Sequence, residues 1–118
     1  IECRINAEDP EQGDRPTPGM VTQAWFPAGP GVRVDSHIEP GREVPPWYDS
    51  LMAKLIVHGE NRAAVVAAME KALANTRIEG PVSNLALQRR ILGHDTFRTG
   101  VVDTGWLARL AEERRANA

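Results

Sequence analysis

Polar and apolar residues alternate from Ile1 to Ala7: Ile1, Cys3 and Ile5 fall on one side, Glu2, Arg4 and Asn6 on the other. A period of two predicts a half-buried strand. Glu8 to Gly19 is rich in Asp, Pro and Gly and reads as a loop. Met20 to Phe26 regains strand character and ends at Pro27-Ala28-Gly29-Pro30-Gly31. Val32 to Ile38 alternates again, with Val32, Val34 and Ser36 opposite Arg33, Asp35 and His37. After turn signals at Pro40-Gly41 and the stiff pair Pro45-Pro46, Leu51 to Val57 forms a densely apolar strand interrupted by Lys54. Short strands separated by turns predict antiparallel pairing.

The period then changes. Val65, Met69, Ala72 and Leu73 recur at helical spacing, predicting an amphipathic helix over 62–75 with Asn61 as its N-cap. A second helix is predicted from about Asn84 to Leu92, capped by Ser83 and stopped by Gly93, and a third from Trp106 to about Arg114, with fraying from Ala116. The expected fold is therefore α+β: antiparallel strands in the first half, packed helices in the second. No internal repeat or linker interrupts it, so residues 1–118 read as one domain.

Composition narrows the function classes. At 118 residues, 42% hydrophobic and 25% charged, the chain matches an ordinary globular domain. A net charge of −2 gives no electrostatic basis for a nucleic-acid partner or an anionic membrane surface. No apolar run approaches the roughly 20 residues of a membrane span, and the opening residues are not a secretory signal. The lone cysteine, Cys3, excludes an intrachain disulfide and fits a reducing, cytoplasmic setting; it reads as a small buried side chain. The chain starts without Met on residues that already form a strand, which points to a piece of a longer protein.

Chemistry is sparse. Glu2, Arg4 and Asn6 could aim a carboxylate, a guanidinium and an amide at one point from a rigid strand, or simply form a solvated strand face. His37, His58 and His94 share no ligand spacing, and Glu8-Asp9 lacks His or Cys partners, so no metal site is expected. Gly29-Pro30-Gly31 is a turn, without the Lys and Ser or Thr of a phosphate loop. Lys54 reads equally as an edge-strand charge that discourages pairing and as a buried ion-pair or site residue.

Longer strings carry more. Ile1 to Pro10 resembles the ECRINAEDP stretch of biotin carboxylases, and Pro16-Thr17-Pro18-Gly19 their PSPG turn. Gly31 to His37 is similar to GVRxDSH, Pro45 to Val57 to PPYYDSxxxKLI, Gly59 to Arg62 to GENR, and Asn84 with Leu87 to the helix start TNxxL. These segments stand in the family's order and spacing. Gln12-Gly13-Asp14-Arg15 depart from it, where the family usually carries an aromatic residue or leucine.

The resemblance implies the biotin carboxylase C-terminal domain, a rudiment single hybrid motif-like fold that packs against an N-terminal and an ATP-grasp domain. In such enzymes ATP and Mg2+, held mainly upstream, activate bicarbonate; CO2 is transferred to biotin on a carrier protein and passed to a carboxyltransferase. By resemblance Arg4 contacts bicarbonate and the biotin ureido oxygen as the catalytic residue. Asp49 lies close to the biotin site, Arg33 at the interface of a homodimer, and Thr104 where some members place an apolar neighbour of the adenine. Acetyl-CoA carboxylase of fatty acid biosynthesis is the expected setting, with propionyl-CoA, pyruvate or urea carboxylases and a non-catalytic interaction module as alternatives. The isolated chain, lacking the ATP-grasp residues, is expected to be inactive.

Overall fold

The computed structural model describes residues 1–46 and 49–117, so Trp47 and Tyr48 of the PPWYDS string lie outside the described residues. In chain order it contains β1 (Glu2–Asn6), β2 (Glu8–Asp9), a 3-10 turn (Pro10–Gln12), β3 (Arg15–Pro16), β4 (Gly19–Met20), β5 (Gln23–Trp25), β6 (Val32–Ser36), β7 (Glu43–Val44) and β8 (Leu51–Val57). Then follow α1 (Arg62–Ala74), β9 (Arg77–Glu79), α2 (Leu85–Gly93), α3 (Asp95–Thr99) and α4 (Trp106–Ala116). This is the expected α+β order, strands first and helices after.

The three strongest strands form one antiparallel sheet in the order β1-β8-β6. Alternation buries Cys3 and Ile5 of β1 beside Ala53, Leu55 and Val57 of β8. Helix α1 packs against β8 with Val66, Met69, Ala72 and Leu73 buried, and α2 adds Leu85, Ile91 and Leu92 to the same core. Burying side chains such as Ile5, Leu55, Met69 and Leu73 contributes about 1.5–3 kcal/mol each. Asn61 caps α1 as expected, its Oδ1 accepting from Ala64 N at 2.9 Å. The other end of α1 is tied to α2 by Arg89, whose Nη2 donates to Leu73 O (2.9 Å) and Thr76 O (3.0 Å). A cation there also favours the negative end of the helix dipole.

Several elements differ from expectation. Glu8 to Gly19 is not a plain loop: β2 and β3 pair across the turn Gly13-Asp14, both at positive φ. Met20 to Phe26 is not one strand, because the buried Val21 divides β4, paired with β7, from β5, paired with β9. Neither β7 nor β9 shows in the pattern, since two or three residues are too few for a period. Ser83 is displaced as cap of α2 by Asn84, although Ser83 Oγ still accepts from Leu85 N at 3.3 Å. Short α3 was also missed; the Nδ1 of His94 caps it by accepting from Thr96 N at 3.1 Å. Helix α4 runs on to Ala116, two residues past the predicted end.

Candidate functional site

The β1–β8 register determines which side chains surround Arg4. Ile1 and Val57 exchange both backbone bonds, each 2.9 Å, so Cys3–Leu55 and Ile5–Ala53 continue the hydrogen-bonded pairs. Arg4 and Lys54 between them form a non-hydrogen-bonded pair, the arrangement in which Cα atoms approach to about 4.5 Å and side chains lie closest. Lys54 is half-buried on the central strand. The edge-strand alternative for Lys54 is thus overturned: β8 has a neighbour on both sides. On its other flank Lys54 stands opposite Asp35 of β6.

The arginine reaches beyond its own strand. Glu2 and Asn6 do not hold its guanidinium; its ion-pair partner is Asp49, with Arg4 Nη2 3.7 Å from Asp49 Oδ2. The turn before β8 positions that carboxylate. Asp49 Oδ1 accepts from Leu51 N (3.0 Å), and Ser50 O accepts from Ala7 N (2.8 Å), fastening this segment to the end of β1. Ser50 Oγ also donates to Glu8 Oε1 at 2.5 Å. Side chains of Arg4 and Asp49 are 53% and 69% exposed. Such an open, loosely spaced pair contributes about 0–1 kcal/mol and breaks easily.

Arg33 and Thr104 stand apart from this pair. Arg33 lies on β6, two strands and so about 10 Å from β1. It shares the sheet face of Arg4 and Lys54, and binds Asp35 through Nε (3.1 Å) and Nη2 (3.0 Å). Thr104 is exposed at the head of α4. Its neighbour Asp103 accepts from Gly105 N (2.9 Å) and Arg109 Nη2 (2.8 Å); the Arg109 bond comes first in holding this carboxyl below its ordinary range. A cleft of about 250 Å³ opens beside this turn, lined by Glu2, Cys3, Gln88, Val102, Trp106 and Leu107 among others. It runs from the start of β1 to α4. A larger cleft, about 680 Å³, lies between Pro10–Gly13 and α4, beside the Glu11–Arg114 ion pair, and touches none of the expected site residues.

His37 and His58 are exposed, whereas His94 is half-buried with its ring edge-on to Trp106 at 5.2 Å. Among the described residues, no three His, Cys, Asp or Glu side chains gather as a metal site. Sequence reasoning missed one contributor, Asn84, which holds the backbone of β1 from the start of α2. Nothing in its spacing distinguishes it from an ordinary helix cap.

The arrangement is thus a fixed, exposed guanidinium with a weakly bound carboxylate and a second cation beside it. It suits a planar, electron-rich oxygen that takes the place of Asp49.

Comparison with known proteins identifies the family. Residues 2–109 match the family described as "Biotin carboxylase C-terminal domain". The biotin carboxylase of Allochromatium vinosum is 48% identical over 110 residues, 93% of this chain and 24% of that protein. That of Nostoc sp. is 44% identical over 107 residues, 91% of this chain and 24% of its own length. The biotin carboxylase domain of the Hydrogenobacter thermophilus 2-oxoglutarate carboxylase, solved as a dimer with MgADP, ADP and bicarbonate, superposes with a TM-score of 0.89. It is 39% identical, covering 92% of this chain and 24% of that one. The chain spans about a quarter of the length of these relatives. With that match over most of its length and relatives above 40% identity, this chain belongs to the biotin carboxylase C-terminal domain family.

Proposed function

We propose that this chain is the C-terminal part of an ATP-dependent biotin carboxylase, in which Arg4 stabilises the negative charge that grows on the ureido oxygen of biotin. The observation that carries the reading is the Arg4 guanidinium: rigidly based on β1, half exposed, and held among the described residues by a 3.7 Å pair with Asp49. A donor fixed before charge develops costs no reorganisation when it does, and losing one such donor typically slows a reaction about a hundredfold or more. Biotin enters as substrate, on a carrier protein or domain. Its ureido oxygen, or a bicarbonate oxygen, competes with Asp49 for the guanidinium, and Asp49 restores the resting orientation when the substrate leaves.

The described residues offer no grouped carboxylates for Mg2+. The reading therefore assigns Mg2+ and the ATP phosphates to the remainder of the longer protein, with Thr104 at most beside the adenine. Arg33 is assigned to a homodimer contact, supported by the dimeric Hydrogenobacter relative. The setting is a cytoplasmic acyl-CoA carboxylase, with acetyl-CoA as acceptor and a carboxyltransferase as partner. Likeness to a 2-oxoglutarate carboxylase favours a keto acid acceptor as the second reading.

The test uses the complete enzyme that carries this chain. Arg4→Ala should lower biotin carboxylation about a hundredfold and bicarbonate-dependent ATP hydrolysis without biotin by much less. Equal losses in both assays would make Arg4 a structural or general anion-binding residue.

A further inference from the structure

The outer edge of β1 is covered by side chains, and that cover comes from α2. As the first strand in the order β1-β8-β6, β1 turns the backbone groups of Arg4 and Asn6 away from the sheet. One residue meets most of them. Asn84 Nδ2 donates to Arg4 O at 3.1 Å, Asn84 Oδ1 accepts from Asn6 N at 2.8 Å, and Asn84 N donates to Asn6 O at 3.1 Å. Gln88, one turn later, adds a second donor to Arg4 O at 3.0 Å. The carboxamide thus serves β1 as a neighbouring strand would, donating to one residue and accepting from the next outward one.

Two further observations separate this from ordinary packing. An Asn preceding a helix normally turns its side chain onto the helix's own free amides. Asn84 holds the N-cap position of α2 and makes no such bond, because its side chain is committed to β1. It is also 7% exposed, a buried amide with its polar atoms paired across to the strand. In addition, the β1–β8 register shifts between Ile5 and Asn6: pairing steps from Ile5–Ala53 to Asn6–Leu51, which leaves Met52 of β8 as the extra residue opposite the point that Asn84 grips. A bulge bends its strand and re-aims the neighbouring side chains. Here it lies between Arg4 and the turn that carries Asp49.

We propose that Asn84, assisted by Gln88, is a positioning residue for Arg4: it fixes the Arg4 peptide and the β1 residue opposite the bulge from outside the sheet, and so sets the direction of the guanidinium. The proposal rests on the assignment of Arg4 to biotin carboxylation.

The experiment is a double-mutant cycle in the complete enzyme, read as biotin carboxylation and as bicarbonate-dependent ATP hydrolysis without biotin. Asn84→Ala should lower carboxylation at least tenfold, with a smaller loss in the second assay, and should add less than twofold to the loss caused by Arg4→Ala. Gln88→Ala, which removes only one bond and serves if Asn84→Ala does not fold, should lower carboxylation about threefold with the same non-additivity. If either variant's factor multiplies in full with that of Arg4→Ala, the residue acts independently and the proposal is overturned. If both variants carboxylate within twofold of wild type while Arg4→Ala does not, positioning is wrong and the role of Arg4 stands. If Arg4→Ala itself is without effect, both assignments fall.

Discussion

Arg4 and Lys54 stand directly opposite each other on β1 and β8, two cations at the closest spacing the sheet offers. Their repulsion is only partly offset: Asp49 pairs loosely with Arg4, and Asp35, opposite Lys54 on β6, gives its ion pair to Arg33. Like charges placed opposite on neighbouring strands destabilise a sheet, and cross-strand pairs in general act on a scale of about 0.2–1 kcal/mol. Lys54→Met should therefore raise the unfolding free energy by an amount in that range. Thermal unfolding at low and high ionic strength checks it, because the gain should shrink as salt screens the pair.

Arg33 gives a second expectation, about assembly. Its guanidinium is exposed, and its bond to Asp35 raises its pKa further, so it stays charged at any working pH. Arg33→Glu would replace that ion pair by two adjacent carboxylates on the open edge of β6. Dimer dissociation of the complete enzyme, followed by sedimentation, should rise at least tenfold, while turnover per assembled dimer changes little.

Strands of five to seven residues were legible in the sequence because Cys3–Ile5 and Leu55–Val57 repeat with the pleat, and α1 because Asn61 and the spacing of Met69 and Leu73 announce it. The short strands β4, β7 and β9 were not, since their pairing depends on partners distant in the chain. Arg4 was legible as a strand-borne guanidinium, and its place in a site is what the resemblance implies. Asp49 was named by the same resemblance as a neighbour of the biotin site, but its ion pair with Arg4 was not legible, because it depends on the fold of the turn before β8. Asn84 read as a helix start, which is true, but its side chain faces the wrong strand for a cap to reveal.

Cys3 predicts a pH dependence. Burial pushes its thiol up to about 11 from an ordinary 9.0. The folded state holds the proton more tightly than the unfolded one, so this contribution is complete below about pH 9 and is lost as pH rises through about 11. A shift of that size corresponds to about 2–3 kcal/mol. Urea unfolding between pH 8 and 11 should show stability falling in wild type and falling less in Cys3→Ala. Alkylation of Cys3 at pH 8 should require unfolding.

Gly80 gives the sharpest prediction about the fold. Its φ is +122°, and a Cβ there would lie 2.1 Å from Met20 O, at the end of β4. Gly80→Ala combines backbone strain with a clash against main chain and should cost about 3 kcal/mol or more. Gly13→Ala also meets a positive φ but open space, and should cost only about 1–2 kcal/mol. Comparing the two urea midpoints separates the clash from the strain.

The grip on β1 also imposes an order on biosynthesis. The carbonyl of Arg4 bonds to the amide of Gln88, 84 positions later, and the sheet partner of β1 is itself some fifty residues downstream. At about 5–20 residues per second, a ribosome needs roughly 4–17 s to proceed from the arginine to the glutamine. Throughout that interval the opening strand is made but has no complete partner along its outer edge. A nascent chain stalled before Asn84 should expose this strand to proteases and chaperones, and one stalled well after Gln88 should not.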